Sequence, residues 1–82
     1  MQARKTPAAE SADWERALEG VDFPAAKVAI MREVHDHGGL DREVLTILEG
    51  LPQDEYETRE ELAADARAVY EAEGYDTSKL PI

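Results

Sequence analysis

Four glycines in this chain are each followed at once by an apolar residue: Gly20-Val21, Gly39-Leu40, Gly50-Leu51 and Gly74-Tyr75. Glycine takes the left-handed backbone conformation without a Cβ clash, so it closes helices, and the apolar residue after it folds back onto the last turn. The spacing of these pairs predicts short, sharply ended helices. No strand-like alternation longer than a few residues and no internal repeat interrupts them. The expected fold class is therefore all-α, a small bundle of four short helices with glycine-terminated ends and a flexible N-terminus.

Residues 1–10 are small, polar and proline-containing without periodicity, and are expected to form a disordered lead-in outside the core. A helical domain is expected over 11–74 and a tail over 75–82. Ser11 is the expected N-cap of a helix over 12–19, with Asp13 against its positive dipole end and Trp14, Ala17 and Leu18 on one face. Pro24 suits the first turn of a second helix, where its missing N–H would be unpaired in any case. That helix runs to about His37, with Ala26, Val28, Ile30, Met31 and Val34 on a broad apolar arc and Arg32, Glu33 and Asp36 opposite. Gly38-Gly39 ends it, and Asp41 is the expected N-cap of a third helix that carries Val44, Leu45, Ile47 and Leu48 before Gly50. Leu51-Pro52 begins a loop through Tyr56, after which Thr58 and Glu61 predict a capping box for a fourth helix over 59–73. Leu62, Ala66 and Val69 form its inner face.

The 82 residues suffice for one small domain with a lean core, and the formal net charge of −10 sets the character of its surface. Such a surface repels nucleic-acid phosphate and anionic headgroups, which bind through clustered Lys and Arg, so a basic or neutral protein partner is favoured. The alternative is that the acidity serves only solubility. The chain has no cysteine, which removes disulfides, thiolate metal sites and cysteine catalysis. No apolar run approaches the ~20 residues needed to span a bilayer, and Met1-Gln2-Ala3-Arg4-Lys5 leads into no signal-peptide apolar stretch. A cytoplasmic protein without membrane attachment is expected.

No reactive constellation stands out, so no catalytic, cofactor-binding or metal-binding residue is expected, and no cofactor. His35 and His37 are the only imidazoles. Two positions apart on a helix they point roughly 200° from each other, whereas paired helical ligands sit three or four apart. Near a helix C-terminus, a protonated histidine favours the negative dipole end. Glu55, Glu57, Glu60 and Glu61 surround the start of the fourth helix, where anions are stabilised, and read as a solvated face or an acidic docking patch for a basic partner. The second and third helices can be drawn as a helix-turn-helix. However, 41–49 offers only Arg42 to DNA, and the other candidate cations, Arg4, Lys5, Arg16, Lys27 and Arg32, are scattered. Trp14 and Tyr70, with Tyr75, Leu80 and Ile82, are the candidate partner-binding residues, because aromatics bury much area at small entropic cost. Homodimerisation through the same residues is the second possibility.

From Leu18 to about Ala66 the chain resembles the small prokaryotic helical domains of domain-of-unknown-function family 2795. The resemblance is carried by Leu18-Glu19-Gly20-Val21-Asp22-Phe23-Pro24-Ala25 with Lys27, then Val44-Leu45 and Leu48, then Leu51-Pro52 with Tyr56 and Thr58. It implies a compact helical domain and supplies no catalytic residues. The chain departs from the family in the fourth helix, whose continuation to Gly74 exceeds the family's short final segment. Read from the residues, the shared set is structural: Gly20, Pro24 and Pro52 fix backbone direction, Leu51 follows a helix stop, Phe23 and Tyr56 flank helix starts, and Thr58 caps one. The expectation is a protein-interaction or regulatory module, not an enzyme. A helix-turn-helix regulator and a small enzyme or metal protein using His35 and His37 are the alternatives.

Overall fold

The computed structural model describes residues 4–37 and 42–82. Helix α1 spans Ser11–Leu18 and is capped one residue earlier than expected, by Glu10. The reason is a reciprocal arrangement: the Asp13 N–H donates to the Glu10 carbonyl at 2.9 Å, and the Glu10 N–H donates to Asp13 Oδ2 at 2.8 Å. A carboxylate at the third helical position thus does what a capping box requires and also meets the dipole's positive end, leaving Ser11 as the first helical residue. Gly20 then has φ 87°, as its role as a helix stop demands.

The second helix starts later than proline suggested. Phe23-Pro24 is a cis peptide, and Ala25–Ala26 forms a short strand, β1, before α2 runs over Lys27–His37. Strand β1 pairs antiparallel with β2, Glu55–Tyr56, in the register Ala25↔Tyr56 and Ala26↔Glu55. The fold is therefore mostly helical with a two-stranded sheet, rather than purely all-α. Two-residue strands leave no alternation to read, yet they obey it in space: Ala25 and Tyr56 are buried, while Ala26 is half-buried and Glu55 exposed. On α2, Ile30 and Val34 are buried and Met31 is partly so, but Val28 is 66% exposed. At 100° per residue Val28 stands about 160° around the helix from Ile30, so the apolar arc is narrower than the sequence reading had it. The expected roles of Gly38, Gly39 and Asp41 fall outside the described residues.

Helix α3, Arg42–Glu49, buries Val44, Ile47 and Leu48. Gly50 follows it for a different reason from the one expected. Among the described residues only Gly20 and Gly74 have positive φ, whereas a Cβ on Gly50 would lie 2.8 Å from Val69 Cγ1. Glycine there lets the end of α3 approach α4. Helix α4, Arg59–Ala72, is capped by Thr58 as expected, its Oγ1 accepting from the Glu61 N–H at 3.1 Å. It closes with Gly74 at φ 88°, the Gly74 N–H on the Glu71 carbonyl and the Tyr75 N–H on the Tyr70 carbonyl, both at 3.0 Å.

From Lys5 on, the segment expected as a lead-in is built into the domain. Lys5 pairs in parallel with Tyr75: its N–H donates to the Gly74 carbonyl at 2.9 Å and its carbonyl accepts from the Asp76 N–H at 2.7 Å. Ala9 is 6% exposed and joins the core. Main-chain pairing needs no side-chain periodicity, so composition alone did not disclose it. The tail turns through a short 3-10 helix, Thr77–Lys79, and lays Leu80 and Ile82 against the core. The Arg67 Nε–H donates to the Ile82 carbonyl oxygen at 2.8 Å.

Candidate functional site

Two polar networks brace the interior. In the first, the Trp14 indole N–H donates to Tyr70 Oη at 2.9 Å, Tyr70 Oη–H donates to Glu43 Oε2 at 2.9 Å, and the two Glu43 oxygens accept the N–H groups of Ala8 at 2.9 Å and Ala9 at 3.2 Å. Burial raises the Tyr70 phenol's pKa, the Trp14 N–H opposes the rise, and the Glu43 carboxylate adds to it. The Tyr70 ring meets Trp14 at a tilted 6.2 Å and Tyr75 edge-on at 5.1 Å, and Lys5 Nζ lies 4.5 Å from the centre of the Tyr75 ring. Trp14 and Tyr70 are 1% and 0% exposed, so they are core groups here rather than the surface anchors their chemistry suggested. Tyr75, Leu80 and Ile82 are half-buried against the same core.

The second network holds the loop before α4. Tyr56 Oη–H donates to Asp65 Oδ2 at 2.8 Å, Gln53 Nε2–H donates to the same oxygen at 2.9 Å, and the Gln53 N–H reaches Tyr56 Oη at 3.3 Å. Burial first, then the Asp65 carboxylate, push the Tyr56 phenol up to about 12. Beside it, Lys27 Nζ donates to the carbonyls of Glu49 at 2.7 Å and Leu51 at 2.9 Å. These sit at the negative end of α3, where a cation and its N–H groups satisfy the orphan acceptors. Phe23 packs against the core and Leu51 lies within it, while Pro52 is exposed.

The outer surface is where this molecule differs from an evenly polar one. A groove of about 440 Å³ runs along the outer side of α2, lined by Ala26, Lys27, Val28, Met31 and Asp54. Val28 is the large apolar side chain left exposed among the described residues. Since Ala26 and Glu55 are cross-strand partners on the outward face, Glu55 stands beside this floor. A second groove, about 270 Å³, lies between α1 and α4 and is lined in part by Arg59, Arg67 and Ile82. His35 is exposed and lines neither, and the His37 side chain lies outside the described residues. Among the described residues no three His, Cys, Asp or Glu side chains gather closely enough to hold a metal ion. Nor is any helix among them long and apolar enough to cross a membrane. Glu55, Glu57 and Glu60 are exposed and Glu61 is partly so, around the start of α4.

With this geometry in view, comparison with known proteins gives one finding: the family model described as Protein of unknown function (DUF2795) matches residues 9–63. The chain belongs to this family. No significant match is found among curated proteins or among solved structures. The DUF2795 match takes in Trp14, Lys27, Glu43, Val28 and Tyr56 but stops inside α4, before Asp65 and Tyr70. Both networks therefore join a group within the DUF2795 region to one on the part of α4 beyond it. Sequence reasoning missed Glu43 and Asp65, which look like ordinary surface acids on a helix. Nothing short of knowing which helices touch would have singled them out. Val28 was noticed but assigned to the buried face, and strict attention to its angle from Ile30 would have placed it outside.

Proposed function

We propose that this chain is a binding module that works by docking another protein, without catalysis of its own, and that the outer side of α2 carries the contact. The observation behind this reading is Val28, 66% exposed beside Met31 and Ala26, while the other large apolar side chains among the described residues are at least partly covered. An apolar side chain held on a rigid helix above a shallow depression gains free energy when a partner covers it. The buried and partly buried polar side chains are engaged elsewhere, with Tyr56, Tyr70, Glu43 and Asp65 all in the bracing networks. A DNA-reading role has less support, because α3 fully exposes only Arg42, Thr46 and Glu49.

A photoreactive amino acid at Val28, introduced in cells that make this protein, tests the reading. Discrete covalent adducts with a second protein are expected from position 28 and not from the exposed position Ala64 on α4. Equal adduct patterns at the two positions would remove the α2 surface from consideration.

A further inference from the structure

We infer that the α2 groove takes a basic amphipathic segment of a partner protein, one that presents an apolar side chain to Val28 and a Lys or Arg to the strand end of the groove. This rests on the binding-module reading above and adds the chemistry of the occupant. The floor is apolar, formed by Ala26, Val28 and Met31. At its strand end stand two carboxylates, Asp54 and Glu55, both exposed and neither engaged through its side chain with any described residue.

The cation in the groove's lining does not neutralise them. Lys27 Nζ is turned to the carbonyls of Glu49 and Leu51, and the Lys27 N–H is spent on the Asp54 main-chain carbonyl at 2.7 Å. The other nearby cation, Arg32, lies one helical turn beyond Val28, further from the strand. The surface is thus negative at its strand end and apolar along α2, which fixes the direction in which a segment of basic-then-apolar pattern fits. A cation brought to Asp54 and Glu55 gains attraction while the apolar floor is covered, and the pairing sets register as well as affinity.

A second copy of the chain fits less well. A two-fold contact through this groove would bring together two molecules that each carry a net charge of −10. The self-contact is repelled where the basic segment is attracted.

The test uses the full chain with its Ala, Val and Met methyl groups isotopically labelled for NMR. It is titrated with three peptides: an amphipathic one built of Leu and Lys, its counterpart with Glu in place of Lys, and a Ser/Lys peptide of equal charge without an apolar face. Saturable shifts of the Ala26, Val28 and Met31 methyls are expected with the Leu/Lys peptide alone. Its dissociation constant is expected to rise about tenfold or more between about 0.05 M and about 0.5 M NaCl. The double variant Asp54→Asn/Glu55→Gln should weaken binding about fivefold, while Glu71→Gln/Glu73→Gln, with the same loss of charge at the C-terminal end of α4, stays within about twofold.

Equal weakening by the two double variants would overturn the assignment in favour of non-specific attraction. Tight binding of the Leu/Glu peptide would do so as well, as would methyl shifts that follow protein concentration alone, the mark of a second copy. In any of these cases, adducts at position 28 in cells would still stand for a protein partner at this surface, so the two readings fail separately.

Discussion

Trp14 donates its indole N–H to Tyr70 across 56 positions of sequence, at 2.9 Å and out of reach of water. That bond ties the first helix to the last. Replacing Tyr70 by Phe keeps the ring but strips Trp14 of its acceptor and Glu43 of a donor. The expected loss is about 1–3 kcal/mol, the cost of a buried donor left unmade. Urea unfolding followed by the fluorescence of Trp14, the sole tryptophan, measures it. The Trp14→Phe/Tyr70→Phe pair, followed by circular dichroism because it lacks the fluorescent reporter, should cost less than the sum of the single changes, since no buried indole N–H is left without its acceptor.

Lys27 is a cap as much as a charge. Its ammonium serves two carbonyls at the end of α3, so Lys27→Met, which keeps most of the apolar stem, should destabilise by about 1–2 kcal/mol. For a domain of this size each kcal/mol shifts Tm by roughly 4–8 °C, readily seen by circular dichroism. An unchanged melting curve would show that water replaces the ammonium without cost.

Two glycines separate two reasons for glycine. Gly50→Ala places a methyl 2.8 Å from Val69 Cγ1, and a β-branched neighbour has little room to turn aside. A loss of about 1–3 kcal/mol is expected, largely restored by adding Val69→Ala. Gly20→Ala should cost about 1–2 kcal/mol through its φ of 87°. No neighbouring truncation should recover that, since the strain lies within the residue's own backbone.

The buried phenols set an alkaline limit. Tyr56 titrates near 10 when unfolded and about 12 when folded, and Tyr70 is displaced in the same direction. Above the unfolded value the unfolded chain releases protons that the folded chain retains, so stability is complete below about pH 10 and falls as pH rises toward about 12. Urea midpoints taken across that range should decline more steeply for the native chain than for Tyr56→Phe. Parallel curves would assign the decline to other groups.

Helices were legible where the punctuation was local. Thr58 with Glu61, and Gly74 with Tyr75, name their own partners within a turn: Thr58 accepts the Glu61 N–H, one half of the capping box, and the Gly74 and Tyr75 N–H groups close the last turn of α4. The errors arose where a residue's partner is distant. The strand Ala25–Ala26 exists because Glu55–Tyr56 lies alongside, Ala9 is buried because Glu43 accepts two amides nearby, and Gly50 is small because Val69 crosses it. The same holds for the site. Trp14 and Tyr70 were the natural surface candidates by type, but a small core had need of both, and exposure fell to Val28, which no neighbour on the inner side could cover.

The parallel pairing of Lys5 with Gly74 and Asp76 makes one seam of the chain's two extremities. Tension applied between the outermost segments would first peel the tail, through the Arg67–Ile82 bond and the Thr77–Lys79 turn, and would then reach those two hydrogen bonds before any α-helix. The seam acts as a mechanical fuse, and the bundle behind it bears load only after the fuse has parted.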